Sequence, residues 1–155
     1  MDPTQLLKKQ HREVENLFKK IEKTEDAGER RELLRELSQN LELHMRIEET
    51  MFYPAVREVE SKKAEQMVLE AYEEHAVVKL VVAQLPEVNV EDERFEAKMT
   101  VLQELIEHHV EEEEKEMFKL AKKLGDEELD ELGDRMMAEV EAAKGATAGK
   151  KRHAA

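Results

Sequence analysis

The sequence predicts an all-α protein, an antiparallel up-down four-helix bundle with a short fifth C-terminal helix. Of its 155 residues, 41% are charged and 40% are apolar but only 4% are aromatic, which is typical of long exposed helices rather than of sheets. Apolar residues recur at spacings of three and four along almost the whole chain, which is the helical period. The breaks between these periodic segments are short, as in bundles of antiparallel helices.

Start and stop signals divide the periodic pattern into five helices. Pro3 marks the start of the first, the segment "TEDAGE" forms the turn after it, and Ser61 has the side chain of an N-cap for the third. Pro54 predicts a kink in the second helix, or a break one turn earlier. Gly125 ends the fourth helix and Asp126 caps the fifth. The predicted helices cover about 4–23, 29–60, 61–85, 92–123 and 126–143.

The helices are expected to form one domain, residues 1–143, because a chain of this length can bury a core of its own. The remaining segment, "KGATAGKKRHAA" at 144–155, is small, polar and basic. We expect it to be a disordered tail.

Composition excludes several classes of function. The net charge is 25 − 38 = −13, so a nucleic-acid partner is not expected, because its phosphates would be repelled. The chain has no cysteine, which excludes a disulfide framework, a thiolate zinc site and an iron–sulfur cluster. It has neither an N-terminal apolar h-region nor an apolar run of 18 residues, so no membrane partner is expected and the predicted location is cytoplasmic.

Each of the four long helices places a histidine on the face that its apolar residues assign to the core. In the first helix, for example, His11 is in line with Leu7, Val14 and Phe18. The second and fourth helices add a glutamate one turn after the histidine. The inward-facing candidates for metal ligands are His11, His44, Glu48, His75, His109 and Glu113.

The second and fourth helices also resemble each other. The segments "LELHMRIEETMF" (41–52) and "LIEHHVEEEEKEMF" (105–118) both run from Leu through His and paired Glu to Met-Phe. The second segment carries extra residues before its Phe. This is a weak two-fold internal repeat.

One histidine on an apolar face is commonly an ordinary hydrogen-bonded core residue, but four on four helices call for another explanation. A core face covers only about a third to two-fifths of helix positions. Burying an ionised glutamate costs free energy unless it is paired or bound to metal. No Lys or Arg lies beside Glu48 on the core-facing side of its helix, which is called the seam below. A metal site removes this difficulty.

The histidines also lie at comparable heights along the bundle. Counted from the turns, those of the first three helices agree to within about one helical turn. His109 in the fourth helix lies further from its turn than His75 does. Either the fourth helix extends past the end of the third, or the loop at 86–91 runs back along it.

The fourth helix offers two adjacent histidines, each followed four residues later by a glutamate. His109 and Glu113 continue the apolar seam of this helix, whereas the register of His108 and Glu112 runs on into lysines at positions 115 and 119. The seam therefore favours His109 and Glu113 as the ligands.

Imidazole and carboxylate ligands without sulfur suit iron, manganese or zinc and argue against magnesium and calcium, which prefer oxygen ligands. Four histidines and two glutamates are more than one ion needs, and they suit two ions bridged by carboxylates. The Glu-x-x-His pairs of ferritin-type sites are absent, as is the His-Glu-x-x-His of zinc proteases.

One His, then His-x-x-x-Glu, one His and again His-x-x-x-Glu on four successive helices resembles the hemerythrin-like family, the HHE cation-binding domain. The similarity covers about residues 4–124 and is carried by His11 and the segments "HMRIEETMFYP", "EEHAVV" and "HHVEEEEKEMF". It implies a bundle around a non-haem di-iron centre with an oxo or hydroxo bridge. Glu48 and Glu113 would bridge the two Fe ions, and the four seam histidines would be terminal ligands.

The resemblance implies binding or sensing of oxygen, nitric oxide, peroxide or iron. Oxygen carriers of the family have a second histidine four residues after that of the third helix, where this chain has Lys79. We therefore expect sensing, storage or redox chemistry on a diatomic ligand or peroxide rather than reversible oxygen carriage, unless His108 substitutes. A di-iron oxidase or peroxidase, and a metal-free helical interaction protein, are the alternatives.

Several neighbours of the predicted ligands have two interpretations. Glu49, Glu74 and Glu112 either orient the imidazoles through hydrogen bonds or lie on the solvated surface. Tyr53 and Tyr72 either approach the site or pack at helix edges. The methionines are interpreted as flexible core residues rather than as ligands.

Overall fold

The computed structural model describes the backbone of residues 1–154 and the side chains of residues 1–146. Within that part of the chain all regular structure is helical. The α-helices are α1 (Pro3–Lys23), α2 (Ala27–Ile47), α3 (Tyr53–Arg57), α4 (Lys62–Gln84), α5 (Phe95–Glu112), α6 (Phe118–Ala121) and α7 (Asp126–Ala154). Short 3-10 turns follow α4 (Leu85–Glu87) and α6 (Lys122–Leu124).

Two five-residue π-turns join helices end to end. Glu48–Phe52 connects α2 to α3, and Glu113–Met117 connects α5 to α6. The four bundle helices are therefore α1, α2–α3, α4 and α5–α6, with α7 packed against α1 and α2. The predicted all-α bundle with a fifth helix is confirmed. The break expected one turn before Pro54 is the first of these π-turns.

Side-chain caps explain where the helices begin. Asp2 accepts the N–H of Thr4 at 2.8 Å, and Ser61 accepts that of Ala64 at 3.0 Å, as the sequence predicts. Asp26 accepts the N–H of Glu29 at 2.9 Å, so α2 begins two residues before the predicted position. The backbone turns out of the helical conformation at Gly125, whose φ is 93°.

The connection between α4 and α5 folds over the end of the bundle. Because the imidazoles of His75 and His109 meet, the 109 − 95 = 14 residues from Phe95 to His109 carry α5 past the end of α4, which has only 84 − 75 = 9 residues after His75. Val90 in this loop is 1% exposed, and its carbonyl accepts a hydrogen bond from Arg30 at 3.3 Å. The Arg30 guanidinium also lies 5.6 Å from the ring centroid of Phe95. Helix α5 begins at Phe95, three residues later than predicted, because Asp92 accepts the N–H of Arg94 and holds a turn there.

Helix α7 continues to Ala154, whereas the apolar pattern predicts an end near Ala143. Alanine and lysine, the most frequent residues of this segment, are good helix formers, and neither Gly145 nor Gly149 ends the helix. The predicted disorder of 144–155 stays a prediction, since the side chains of 147–155 and the backbone of residue 155 lie outside the described residues.

The apolar core is divided into two clusters by the predicted ligands. One cluster, the Tyr53 cluster, includes Leu7, Phe52, Tyr53 and Phe118 and reaches α7. The other, the Leu37 cluster, includes Val14, Leu37 and Leu102 near the opposite end of the bundle. In α1, His11 lies between residues of the two clusters. No helix among the described residues has both the length and the apolar composition to cross a membrane.

Candidate metal centre

The six predicted ligands meet in the interior between the two apolar clusters. All of them are buried, and both glutamates are almost completely so, at 0% and 1% exposure. Their ligand atoms form two groups that share a glutamate, and within each group all atoms lie within 4.8 Å of one another. The six side chains are His11, His44, Glu48, His75, His109 and Glu113.

Position 1 is the space between His11 and His44. Their Nε2 atoms are 3.2 Å apart. His11 Nε2 lies 3.2 Å from Glu113 Oε1, and His44 Nε2 lies 3.0 Å from Glu48 Oε1. Two imidazole nitrogens and one oxygen from each carboxylate therefore face a common point.

Position 2 is the corresponding space between His75 and His109, whose Nε2 atoms are 3.1 Å apart. His75 Nε2 lies 3.2 Å from Glu48 Oε1, and His109 Nε2 lies 3.1 Å from Glu113 Oε2. Both glutamates therefore contact both positions, Glu48 through one oxygen and Glu113 through its two oxygens. This is the arrangement that two carboxylate bridges between two ions require.

Tyr53 adds a fifth donor group at position 2. Its hydroxyl oxygen is 3.1 Å from the Nε2 atoms of both His75 and His109, and it donates to Glu113 Oε2 at 2.8 Å. Burial, followed by the charges of Glu113 and Glu48, raises the pKa of the Tyr53 hydroxyl well above its usual value. The interpretation of Tyr53 as an ordinary edge residue is therefore wrong.

The outer nitrogens of the four histidines are held by a closed ring of acceptors. In each case an acceptor on one bundle helix binds the Nδ1 of the histidine on the next helix, and the fourth helix binds back to the first. The pairs are Gln10 with His44 at 2.6 Å, Glu49 with His75 at 3.0 Å, Glu74 with His109 at 3.0 Å and Glu114 with His11 at 3.1 Å. Such contacts orient an imidazole and direct its Nε2 lone pair inward.

In the interior of the site, imidazole nitrogens and carboxylate oxygens face one another with no hydrogen atoms between them. Because the Nδ1–H groups point outward, the paired Nε2 atoms of a neutral imidazole carry lone pairs. Three buried carboxylate oxygens, both of Glu48 and Oε1 of Glu113, receive no hydrogen bond. Native proteins seldom leave buried polar atoms unpaired. Cations at positions 1 and 2 would satisfy the imidazole nitrogens and the carboxylate oxygens that face those positions.

Without metal, the same contacts attract protons. Burial is the largest single influence on the pKa of His11 and His109 and lowers it, but the surrounding glutamates together outweigh burial, so both pKa values are raised, that of His109 well above its usual range. Burial likewise opposes charge on Glu48, yet His44 and its other partners hold the pKa of that carboxyl well below its usual value. The cluster thus favours positive charge at its centre.

Each of the two buried glutamates begins a π-turn. The backbone carbonyl of Glu48 accepts the N–H of Tyr53, and that of Glu113 accepts the N–H of Phe118, both at a spacing of five residues. The additional residue lets the side chains at both the fourth and fifth positions after the glutamate enter the core; Phe52 and Tyr53 are both 0% exposed. These π-turns correspond to the two halves of the internal repeat, and the second occurs without a proline.

The alternative pair in the fourth helix lies outside this cluster. The side chain of His108 is 67% exposed, 3.4 Å from Glu112 and 3.8 Å from Glu74. Glu49 and Glu74 do contact imidazoles, as one interpretation of the sequence had it, whereas Glu112 contacts no buried histidine among the contacts described. Two acceptors were missed by sequence reasoning, Gln10 and Glu114. A signal was present, because each acceptor is the immediate sequence neighbour of a predicted ligand.

The chain is similar to known proteins of one family. Residues 2–121 match the model of the family described as Hemerythrin HHE cation binding domain. The chain is 29% identical over 148 residues to the uncharacterized proteins Rv2633c of Mycobacterium tuberculosis and Mb2666c of Mycobacterium bovis, covering 94% of this chain and 89% of each relative.

A crystal structure is also similar over nearly the whole chain. It is that of a Hemerythrin HHE cation binding domain-containing protein, the Rv2633c homolog from Mycobacterium kansasii, with a TM-score of 0.83 and 28% sequence identity. The similarity covers 98% of this chain and 93% of that one. With the family match over most of its length and the buried His/Glu clusters of a metal site, the chain belongs to the hemerythrin HHE cation-binding domain family.

Proposed function

We propose that this protein holds two iron ions at positions 1 and 2 and binds or senses a small uncharged ligand such as oxygen, nitric oxide or peroxide. The ligands would be His11 and His44 at position 1, His75 and His109 at position 2, and the carboxylates of Glu48 and Glu113 at both. Nitrogen and oxygen donors without sulfur suit iron, and also manganese or zinc. Bound iron would supply one-electron chemistry and affinity for such ligands.

The observation that carries this proposal is the set of three buried carboxylate oxygens without a hydrogen bond, both of Glu48 and Oε1 of Glu113. Glu48 has 0% exposure and two oxygens without a hydrogen bond, in a site where the neighbouring imidazoles turn their N–H groups outward. Burying such a charge unpaired costs several kcal/mol, on the order of 3–5 when a partner is missing. Two cations between the carboxylates and the imidazoles would remove that cost.

The space beside the centre suits a small ligand. A cavity of about 30 Å³ lies against all four imidazoles, and its other walls are aliphatic side chains of the Leu37 cluster, such as Val14 and Leu41, and of α5, such as Ile106. About 10–15 Å³ is enough for one water molecule, so the cavity has room for a diatomic molecule or peroxide. Apolar walls favour an uncharged ligand.

Tyr53 favours a second candidate function, turnover of peroxide by the same centre. Its hydroxyl lies at position 2 and is hydrogen-bonded to Glu113, so it can hold or deliver a proton at that position. Replacing Tyr53 by Phe removes this proton without changing the ring. If the protein is a peroxidase or catalase-like enzyme, this variant should lose most of its turnover while retaining iron; a pure sensor would keep ligand binding.

Metal content per chain, measured by elemental analysis on freshly purified protein, tests the main proposal. We expect about two irons per chain together with a near-ultraviolet charge-transfer band. Two manganese or zinc ions instead would keep the binuclear site and reject iron. Substoichiometric metal that anaerobic iron loading does not restore would reject the proposal.

The metal-free alternative is tested by replacing His44 and Glu48 together with leucine. If these residues are ligands, iron binding is lost while the metal-free bundle is as stable as before, or more stable by about 1–4 kcal/mol, because a buried polar pair is replaced by apolar side chains. The matched control is the same pair of changes at the exposed His108 and Glu112. If both double variants retain iron, Glu48 is not a bridging ligand.

A further inference from the structure

A groove of about 540 Å³ lies between α2 and the connection that follows α4, at the end of the bundle that holds the Leu37 cluster. This volume is in the range of pockets that hold small molecules, about 300–1,000 Å³. Its wall on α2 runs from Arg31 to Gln39, which is 39 − 31 = 8 residues or about 12 Å. An extended peptide of that length has only about four residues. The size therefore suits a small molecule rather than a segment of another protein.

The second wall of the groove is fixed by its own hydrogen bonds. The Val88 N–H donates to the carbonyl of Leu85 at 3.2 Å, and the Arg30 guanidinium donates to the carbonyl of Val90 at 3.3 Å. Leu34 and Leu85, which are 4% and 3% exposed, line the groove from the core. The groove thus exists before any ligand binds, and it offers an apolar floor.

Helix α2 places a stripe of hydrogen-bond donors along the groove. Arg31, Arg35, Ser38 and Gln39 line it at spacings of four, three and one, so they share one face of the helix. Among the described residues, the side chains of Arg31, Ser38 and Gln39 make no hydrogen bond or ion pair. Arg35 pairs with Glu32 at 2.8 Å, but both side chains are about two-thirds exposed, and such a surface pair is weak.

The groove carries local positive charge on an acidic protein. Two guanidinium groups line it, against the one carboxylate of Glu87 among its described lining residues, whereas the whole chain has a net charge of −13. On the second wall, the side-chain oxygen of Asn89 accepts the N–H of Glu91 at 3.0 Å, which leaves the NH₂ group of Asn89 as a further donor. Guanidinium groups match the geometry of carboxylates and phosphates.

We propose that this groove binds a small organic anion, a carboxylate or a phosphate ester that carries an apolar body. The anionic oxygens bind Arg31 and Arg35, and the apolar body lies against Leu34 and Leu85. Leu34 is 44 − 34 = 10 residues from His44 along α2, about 15 Å. The site is therefore separate from the candidate metal centre and does not depend on the function proposed above.

Naphthyl phosphate and naphthoate, titrated into the full-length protein in a calorimeter, test this binding. We expect at least one of them to bind saturably, one per chain, with a Kd of about 1 mM or lower. The tighter of the two identifies the anionic group. Inorganic phosphate lacks the apolar body and naphthol lacks the anionic group, so each should bind about tenfold more weakly or less.

Three results would overturn the proposal. The first is the absence of saturable binding by either naphthyl anion. The second is equal affinity for naphthol, because the arginines would then play no part. The third is tighter binding of a tetraglutamate peptide than of both naphthyl anions, which would assign the groove to a protein partner.

The two arginines are tested one at a time. Arg31→Gln and Arg35→Gln should each weaken binding of the tighter probe by about tenfold, because a charge-assisted hydrogen bond is lost. The matched control is Arg46→Gln on the same helix, since Arg46 pairs with Glu139 at 3.6 Å and does not line the groove. Equal losses in all three variants, at unchanged helicity, would mean that only net charge matters and would contradict the proposed site.

The location is tested in the variant that carries both His44→Leu and Glu48→Leu, which removes two predicted metal ligands. Binding of the tighter probe should be unchanged, which distinguishes the groove from an anion bound to metal. In the amide NMR spectrum of this variant, the probe should shift residues 31–39 and 85–89. Loss of binding in the variant, or shifts confined to other parts of the chain, would show that the anion binds elsewhere.

Discussion

At the scale of single residues, the candidate centre depends on neighbours that face opposite ways. Glu48 turns inward between the two positions, while Glu49 turns outward and accepts from His75 at 3.0 Å. The same relation holds for His75 and Glu74, because successive helix residues are about 100° apart. The residue next to a ligand in the sequence therefore faces the next helix of the bundle. There it can accept a hydrogen bond from the histidine of that helix.

Glu74→Gln tests this ring of acceptors. His109 Nδ1 would then donate to a neutral amide, so we expect affinity for the ion at position 2 to fall by about 10–100-fold with the fold unchanged. The measurement is metal affinity by competition with a chromophoric chelator. Glu73→Gln removes the same charge one residue away at an exposed position and should change little. Equal effects of the two substitutions would mean that Glu74 acts only through net charge.

Among the helical elements, each π-turn allows one helix to direct both a predicted metal ligand and the buried apolar residues after it toward the core. The second π-turn contains Lys115, which is exposed and paired with Glu111. After it, Phe118, Leu120 and Ala121 are all buried in the Tyr53 cluster. A regular α-helical turn in its place would rotate these three residues by about 100° relative to Glu113.

Deletion of Lys115 should therefore be strongly destabilising. Misplacing Phe118 alone compares with a Phe→Ala change in a core, about 3–5 kcal/mol, and we expect at least that loss in the free energy of unfolding. Urea denaturation followed by circular dichroism measures it. Lys115→Ala, which removes the side chain but keeps the π-turn, should stay within about 0.5 kcal/mol of wild type. Comparable stability of the two variants would show that the π-turn is dispensable.

The docking of the N-terminus on α7 depends on Gly133. A Cβ at this position would lie 1.7 Å from the carbonyl oxygen of Met1, whose amino group pairs with Asp130 and Asp134. Gly133→Ala should force Met1 away and cost about 1–3 kcal/mol, although alanine favours the helix. Gly145→Ala in the same helix meets nothing within 4 Å and should be neutral or stabilising by about 0.5–1 kcal/mol. Thermal unfolding of both variants measures the difference, and equal shifts would contradict this role of Gly133.

For the molecule as a whole, protons and metal ions compete for the same buried histidines and glutamates. In the metal-free chain His109 and His11 have raised pKa values, so their contribution to stability is complete below the unfolded value of 6.5 and is lost as pH rises through the folded values. Glu48 has a lowered pKa, so its contribution is present above 4.5 and is lost as pH falls through its folded value.

The metal-free protein should therefore be most stable between about pH 4.5 and 6.5 and should lose stability above that range. The metal-loaded protein should instead gain stability as pH rises through neutral. This is because fewer protons then compete with the ions for the imidazoles. Denaturant unfolding of both forms from pH 5 to pH 9 measures this. Parallel pH profiles for the two forms would mean that metal and protons do not share these side chains.

The sequence alone is enough to predict the helical bundle, the fifth helix, and the four histidines and two glutamates that face inward. This is because the helical period relates apolar neighbours to His11, His44, His75 and His109, each within one helix. That choice includes His109 over the adjacent His108, which is indeed on the surface. The family match over residues 2–121 agrees with this pattern.

How these side chains combine follows from contacts between helices that are distant in the sequence. The spanning of both positions by Glu48 and Glu113, the Tyr53 hydroxyl at one position alone, and the acceptor ring through Gln10 and Glu114 all depend on distances between different helices. The periodicity of one helix fixes directions around its own axis but not the rotation and height of its neighbours. Those follow from packing of the two apolar clusters, from the loop folded back at Val90, and from two π-turns whose single additional residue leaves no periodic signal.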